Sequence, residues 1–198
     1  MANFLINFLG LMIFLFIFWK KLKEDYSGEI IFSSGFFILA GILLGHLISV
    51  WFLPNWFFWL EFAGVIIGLA ASAFKFKVRV YEVLEAIVIS LFPWIAIIFL
   101  VDSVNNSSAI SFVAFLVCLG LIFLYYFFDL KYKGLSWYKS GRVGFSGLAT
   151  LGIFFLIRSS VAIFLSAVLS FSGKAEVLVS GSLAFVTFLL IYNLARKE

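Results

Sequence analysis

Four ionisable residues, His46, Glu61, Asp102 and Arg158, lie in or beside long apolar stretches of the chain. A guanidinium keeps its proton in a protein, and at the centre of a membrane helix it costs roughly 2.5–3.5 kcal/mol on insertion scales. Arg158 sits inside the almost wholly apolar run 141–169, followed by Ser159 and Ser160. It is therefore expected to face the protein interior and to find a partner there. Arginine suits a phosphate or a carboxylate. An imidazole within reach of a reacting proton serves as a general base. These types together make the materials of an anion or lipid-headgroup site, with Arg158, Glu61 and Asp102 as binding residues and His46 as base. Each also has a plainer role. Glu61 and Asp102 suit the wet headgroup region. His46 suits a packed neutral imidazole. Arg158 suits a structural salt bridge to Glu61 or Asp102, or a snorkelling position.

Other chemistry has little to stand on. The chain holds one histidine and one cysteine, Cys118, so no His/Cys metal cluster is expected, and no cofactor. No glycine-rich phosphate loop follows a strand, and one histidine without coordinates does not make a Ser-His-Asp set.

The elements that must position these residues are apolar helices. Of the 198 residues, 65% are hydrophobic and 12% charged, and the mean hydropathy is +1.19. A soluble domain is about one-quarter charged. The chain reads as an all-α, polytopic membrane bundle, a single integral domain over 1–198 with no soluble domain. The basic pI of about 9.2 does not indicate nucleic acid, because the basic residues lie at the ends of apolar segments. Seven such segments run over about 4–19, 30–53, 57–74, 83–101, 110–128, 143–169 and 177–195. Most reach or approach the ~20 residues that cross the hydrocarbon, where helices alone satisfy the backbone. The first is expected to be a retained helix, not a cleaved signal peptide, since Lys20, Lys21 and Lys23 follow its apolar run.

Charge orients the bundle. The first, third and fifth loops and the tail carry Lys20, Lys21, Lys23, Lys75, Lys77, Arg79, Lys131, Lys133, Lys139, Arg142, Arg196 and Lys197. The positive-inside rule then gives seven helices with the N-terminus out and the C-terminus in. At 1.5 Å per residue, Arg158 lies about 22 Å and His46 about 24 Å from the cytoplasmic side. Glu61 and Asp102 fall near the outer surface. The expectation is one cavity, open to the outer leaflet and lined by all four. Gly41-x-x-x-Gly45 and Gly64-x-x-x-Gly68 mark close helix packing. Tyr81, Glu82 and Glu85 open the fourth helix, where acidic groups suit the helix dipole.

The stretch Ile38-Leu39-Ala40-Gly41-Ile42-Leu43-Leu44-Gly45-His46-Leu47 resembles the Gly-rich second helix of the prolipoprotein diacylglyceryl transferases, which reads Gly-Gly-x-x-Gly-x-Arg-Leu. Phe62-Ala63-Gly64-Val65-Ile66-Ile67-Gly68 is similar to their Phe-His-Gly-Gly-Leu-Leu-Gly. The segment from Gly147 to Gly152, with Arg158 after it, is similar to their late Gly-x-Gly-Arg-Phe region. The resemblance covers most of the chain and implies seven helices in the same orientation. It implies a phosphatidylglycerol-type phospholipid as partner, with a lipoprotein signal peptide as acceptor, in a bacterial plasma (inner) membrane. Its chemistry would be transfer of a diacylglyceryl group to a lipoprotein cysteine. The chain diverges at the family's motifs. Ala63 stands at the histidine, His46 at the helix-two arginine, and Ala96, Phe99 and Asp102 in the Arg-x-Gly-Asn signature. A non-catalytic lipid-binding or scaffold protein on the same fold is the alternative. A small-solute transporter ranks third, because Pro93 is the only breaker inside a span.

Overall fold

A computed structural model describes residues 2–138, 140–165 and 171–196. Among these residues are seven α-helices and no strand: α1 (Ala2–Leu22), α2 (Gly28–Phe52), α3 (Phe57–Phe76), α4 (Val80–Asn106), α5 (Ala109–Lys131), α6 (Phe145–Phe164) and α7 (Ala175–Ala195). All seven are long and apolar enough to cross a membrane. Their ends follow local chemistry. Lys20 and Lys21 close α1. Pro54 opens the tight 3-10 turn between α2 and α3. Lys77, at φ 54°, caps α3 in the left-handed region. The Ser108 side chain accepts the Ser111 N–H at the start of α5.

The sixth helix is shorter than the apolar run that contains it. It ends at Phe164, and Leu165, at φ −128° and ψ 61°, leaves helical geometry. The remainder of the expected span, 166–170, lies outside the described residues. The seventh helix begins two residues earlier than expected, at Ala175, which brings Glu176 into its first turn.

The tightest pairing joins α2 to α3. A Cβ added to Gly41 would fall on the Gly64 carbonyl, and one added to Gly64 on the Gly41 carbonyl. Gly68 lies as close to α2, its added Cβ 2.6 Å from the Phe37 oxygen. Only bare Cα atoms allow two helix backbones to meet at this distance. The α2–α3 hairpin then packs on α1 and α4 through Phe14, Phe18, Ile38, Leu69 and Val83. Helix α4 runs through Pro93 without breaking. A second contact surface joins α6 to α7, and Trp59, Phe155 and Ala184 link that pair back to α3.

Candidate functional site

The bundle has two polar ends. At one end, near the turn between α2 and α3, α2 carries His46 and α3 carries Glu61. The glycine seam sets the two helices so close that side chains beside it meet: His46, next to Gly45, has its Nδ1 2.8 Å from Glu61 Oε1. An ionised carboxylate only accepts, so in this contact Nδ1 is the donor, and Nε2 points to the far side of the ring. The His46 side chain is 53% exposed. It lies six residues before the end of α2, about 9 Å along the axis. Trp51, Phe52 and Trp56 beyond it are exposed, as expected of aromatics at a membrane–water interface. The pair thus lies toward the end of the α2–α3 hairpin that holds the connecting turn, with the imidazole exposed.

Arg158 is buried and has a carboxylate partner that sequence reasoning did not identify. Its Nε donates to Glu176 Oε1 at 2.9 Å. Glu176 is fully buried. Its Oε1 also accepts Ser180 Oγ at 2.6 Å, and its Oε2 accepts Trp59 Nε1 at 2.9 Å. One carboxylate therefore ties α3, α6 and α7 together. The Arg158 guanidinium lies 3.7 Å from the Phe58 ring centroid and 4.9 Å from that of Phe171. Aromatic faces and a carboxylate together suit a desolvated arginine.

Asp102 belongs to a third group. It accepts a short hydrogen bond from Ser111 Oγ and one of 2.8 Å from Asn106 Nδ2, closing the turn between α4 and α5. The four residues expected around one cavity are thus divided among three local partnerships. Among the described residues no ion pair joins Arg158 to His46, Glu61 or Asp102. Helix geometry explains the separation. Trp59 and Glu61 are two residues apart on α3, and successive positions on a helix do not share a face. Trp59 therefore faces Glu176 while Glu61 faces His46.

The other end gathers the basic loops. Lys21 Nζ meets Asp129 at 3.0 and 3.1 Å. Tyr26 donates to Glu82 Oε2 at 2.6 Å, and Arg79 Nη1 donates to Glu82 Oε1 at 2.8 Å. Partial burial, followed by the bond to Glu82, holds the Tyr26 phenol above its usual range. The same carboxylate raises Arg79. Glu85, read from sequence as a dipole partner, is instead buried and accepts the Gly144 N–H at 3.0 Å. No group of three or more His, Cys, Asp or Glu side chains able to hold a metal occurs among the described residues. The chain matches no protein-family model, no curated protein and no solved structure.

Proposed function

We propose that this protein handles phospholipid at the outer leaflet of a bacterial plasma membrane, with His46 and Glu61 as its working pair. The single observation that carries the reading is the 2.8 Å bond between His46 Nδ1 and Glu61 Oε1 on an exposed face. Glu61 orients the ring and fixes its tautomer, and Nε2 is left to accept a proton. By the positive-inside rule the basic end is cytoplasmic, so the pair stands at the outer surface. The resemblance to the diacylglyceryl transferases supplies the reaction. The acceptor thiol gives its proton to His46 Nε2. Its sulfur forms a bond to the glyceryl carbon, and the bond from that carbon to the phosphate oxygen breaks, releasing glycerol phosphate. Arg158 positions α6 against α3 and α7 through Glu176, and Asp102 closes the neighbouring turn.

The second reading is a lipid-binding protein without transfer chemistry. Two observations favour it: the Arg158 charge is answered by Glu176, and Ala63 and Ala96 stand where the family has a histidine and an arginine. The test is to incubate the purified full chain with phosphatidylglycerol labelled in its diacylglyceryl moiety and a lipobox peptide. The expected result is labelled peptide from the wild type and none from His46→Gln. No product from the wild type ends the transferase reading. Phosphatidylglycerol that still co-purifies would then leave lipid binding as the function.

A further inference from the structure

Between the start of α2 and the end of α3 lies a groove of about 660 Å³, open to the surface. Glu29 lines it from α2 and Lys75 from α3, and four phenylalanines complete most of the wall. We propose that this groove holds a phospholipid whose headgroup carries a primary amine, of the phosphatidylethanolamine class. Its phosphate rests on Lys75, its ammonium on Glu29, and an acyl chain on the phenylalanines.

The shape follows from helix geometry. Glu29, Phe32, Ser33 and Phe36 have the i, i+3, i+4, i+7 spacing of a single helix face. At 1.5 Å per residue this face runs about 10 Å from the charged end of α2 into its apolar stretch. Phe32 and Phe36 are 52% and 67% exposed, so the other described helices leave the stripe open. A charged end that continues into an open apolar stripe matches a phospholipid, head to tail. The walls are fixed by the glycine seam, which locks Gly68 of α3 against Phe37 and Ile38 of α2 two turns below Lys75. Lys75 is placed by two rings: its Nζ lies 5.0 Å from the Phe37 centroid and 5.5 Å from that of Phe76. These rings meet edge to face across the two helices. Among the described residues neither Lys75 nor Glu29 joins an ion pair. A phosphate oxygen suits the lysine and an ammonium the glutamate. A primary ammonium donates hydrogen bonds to a carboxylate, whereas a quaternary one has none to give and relies on aromatic faces. Here the faces of Phe37 and Phe76 are already taken by Lys75. Ser33, partly buried one turn below Glu29, offers a hydroxyl to an ester oxygen. The volume lies within the range of small-molecule sites and suits a headgroup with its glycerol.

The groove lies at the end opposite His46 and does not depend on the transferase reading. The plainer role of Glu29, an acid in the first turn of α2, would show in stability and not in the choice of lipid. The experiment places the full chain in phosphatidylcholine nanodiscs doped with equal minor amounts of phosphatidylethanolamine and phosphatidylglycerol. Retained lipid is read by native mass spectrometry, with thermal unfolding of each variant beside it. The wild type is expected to retain phosphatidylethanolamine about tenfold above its share of the mixture. Glu29→Gln should abolish that preference, and Lys75→Gln should lower retention of phosphatidylethanolamine about tenfold. Both side chains are exposed, so both variants keep the fold. Lys77→Asn removes the same charge from a position that does not line the groove, and asparagine suits its left-handed cap. It should leave the preference unchanged. A preference for phosphatidylglycerol, or an equal loss in Lys77→Asn, would show general attraction to basic loops and overturn the site. So would a wild type that takes phosphatidylethanolamine only in proportion to its share, or a Glu29→Gln variant that keeps the preference.

Discussion

Arg158 and Glu176 form a buried ion pair, Nε to Oε1 at 2.9 Å, in which the carboxylate also holds Ser180 and Trp59. Taking either charge alone out of such a pair strands the other away from water, at a typical cost of about 3–5 kcal/mol. Glu176→Gln keeps an oxygen for Trp59 or Ser180 but leaves the guanidinium without its counter-charge. It is expected to lower the thermal unfolding midpoint sharply in detergent. The double variant Arg158→Met with Glu176→Gln removes both charges and is expected to recover most of the loss. A double variant no better than the single one would show that the guanidinium packing on Phe58, not charge compensation, is what the fold needs.

The His46–Glu61 pair is expected to behave in the opposite way. It is half exposed and bridges two helices already held by their glycine seam. Even a fully charged exposed pair contributes only about 0–1 kcal/mol. Glu61→Gln should therefore leave the unfolding midpoint nearly unchanged while taking away the negative charge that supports a proton on the ring, although its amide oxygen can still accept from Nδ1. Lipid turnover by Glu61→Gln should fall toward that of His46→Gln. Turnover measured beside thermal unfolding separates the two effects, and full activity in Glu61→Gln would remove Glu61 from the working pair.

How much of this was legible in the sequence depends on the kind of signal. Seven apolar runs gave seven helices, because run length alone decides whether a helix can cross lipid. The small-residue spacing at Gly41, Gly45, Gly64 and Gly68 marked the seam between α2 and α3. The burial of Arg158 followed from the cost of its charge. Its partner did not, since Glu176 lies just before the apolar run expected to begin at Val177. The available signal was the i, i+4 pair Glu176 and Ser180, which puts two polar groups on one face of an otherwise apolar first turn. Depth along each helix placed His46, Glu61, Asp102 and Arg158 in one layer, but depth says nothing of the direction a side chain faces. Glu85 was underread for the same reason. Its place in a first turn suited the helix dipole, while its burial against Gly144 is a tertiary fact.

The glycine seam offers a test of the geometry beneath the candidate site. Gly41→Ala or Gly64→Ala would set a methyl group on a facing backbone carbonyl, which no rotamer change relieves. Overpacking of this kind costs about 1–3 kcal/mol, and separating α2 from α3 should also pull His46 from Glu61. The control is Gly120→Ala in α5, where an added Cβ meets nothing within 4 Å. There the helix gains propensity, and stability should hold or rise by up to about 1 kcal/mol. Thermal unfolding of the three variants decides the matter; equal effects at Gly64 and Gly120 would deny the close approach.

The last prediction concerns alkaline pH at the basic end. Tyr26 is held above its usual range by partial burial and by donation to Glu82. A group whose folded pKa is raised binds its proton more tightly in the folded state. Its contribution is therefore complete below the unfolded tyrosine value of about 10 and is lost as pH climbs through the folded one. Tyr26→Phe should lose the bonds to Glu82 and from the Arg79 N–H at all pH values, and its stability should fall less steeply than the wild type's above pH of about 10. Phenolate absorbance, taken as the difference between wild type and Tyr26→Phe, should show one tyrosine ionising later than a free phenol. A difference titration centred at the ordinary tyrosine value would show that Glu82 does not hold the Tyr26 proton.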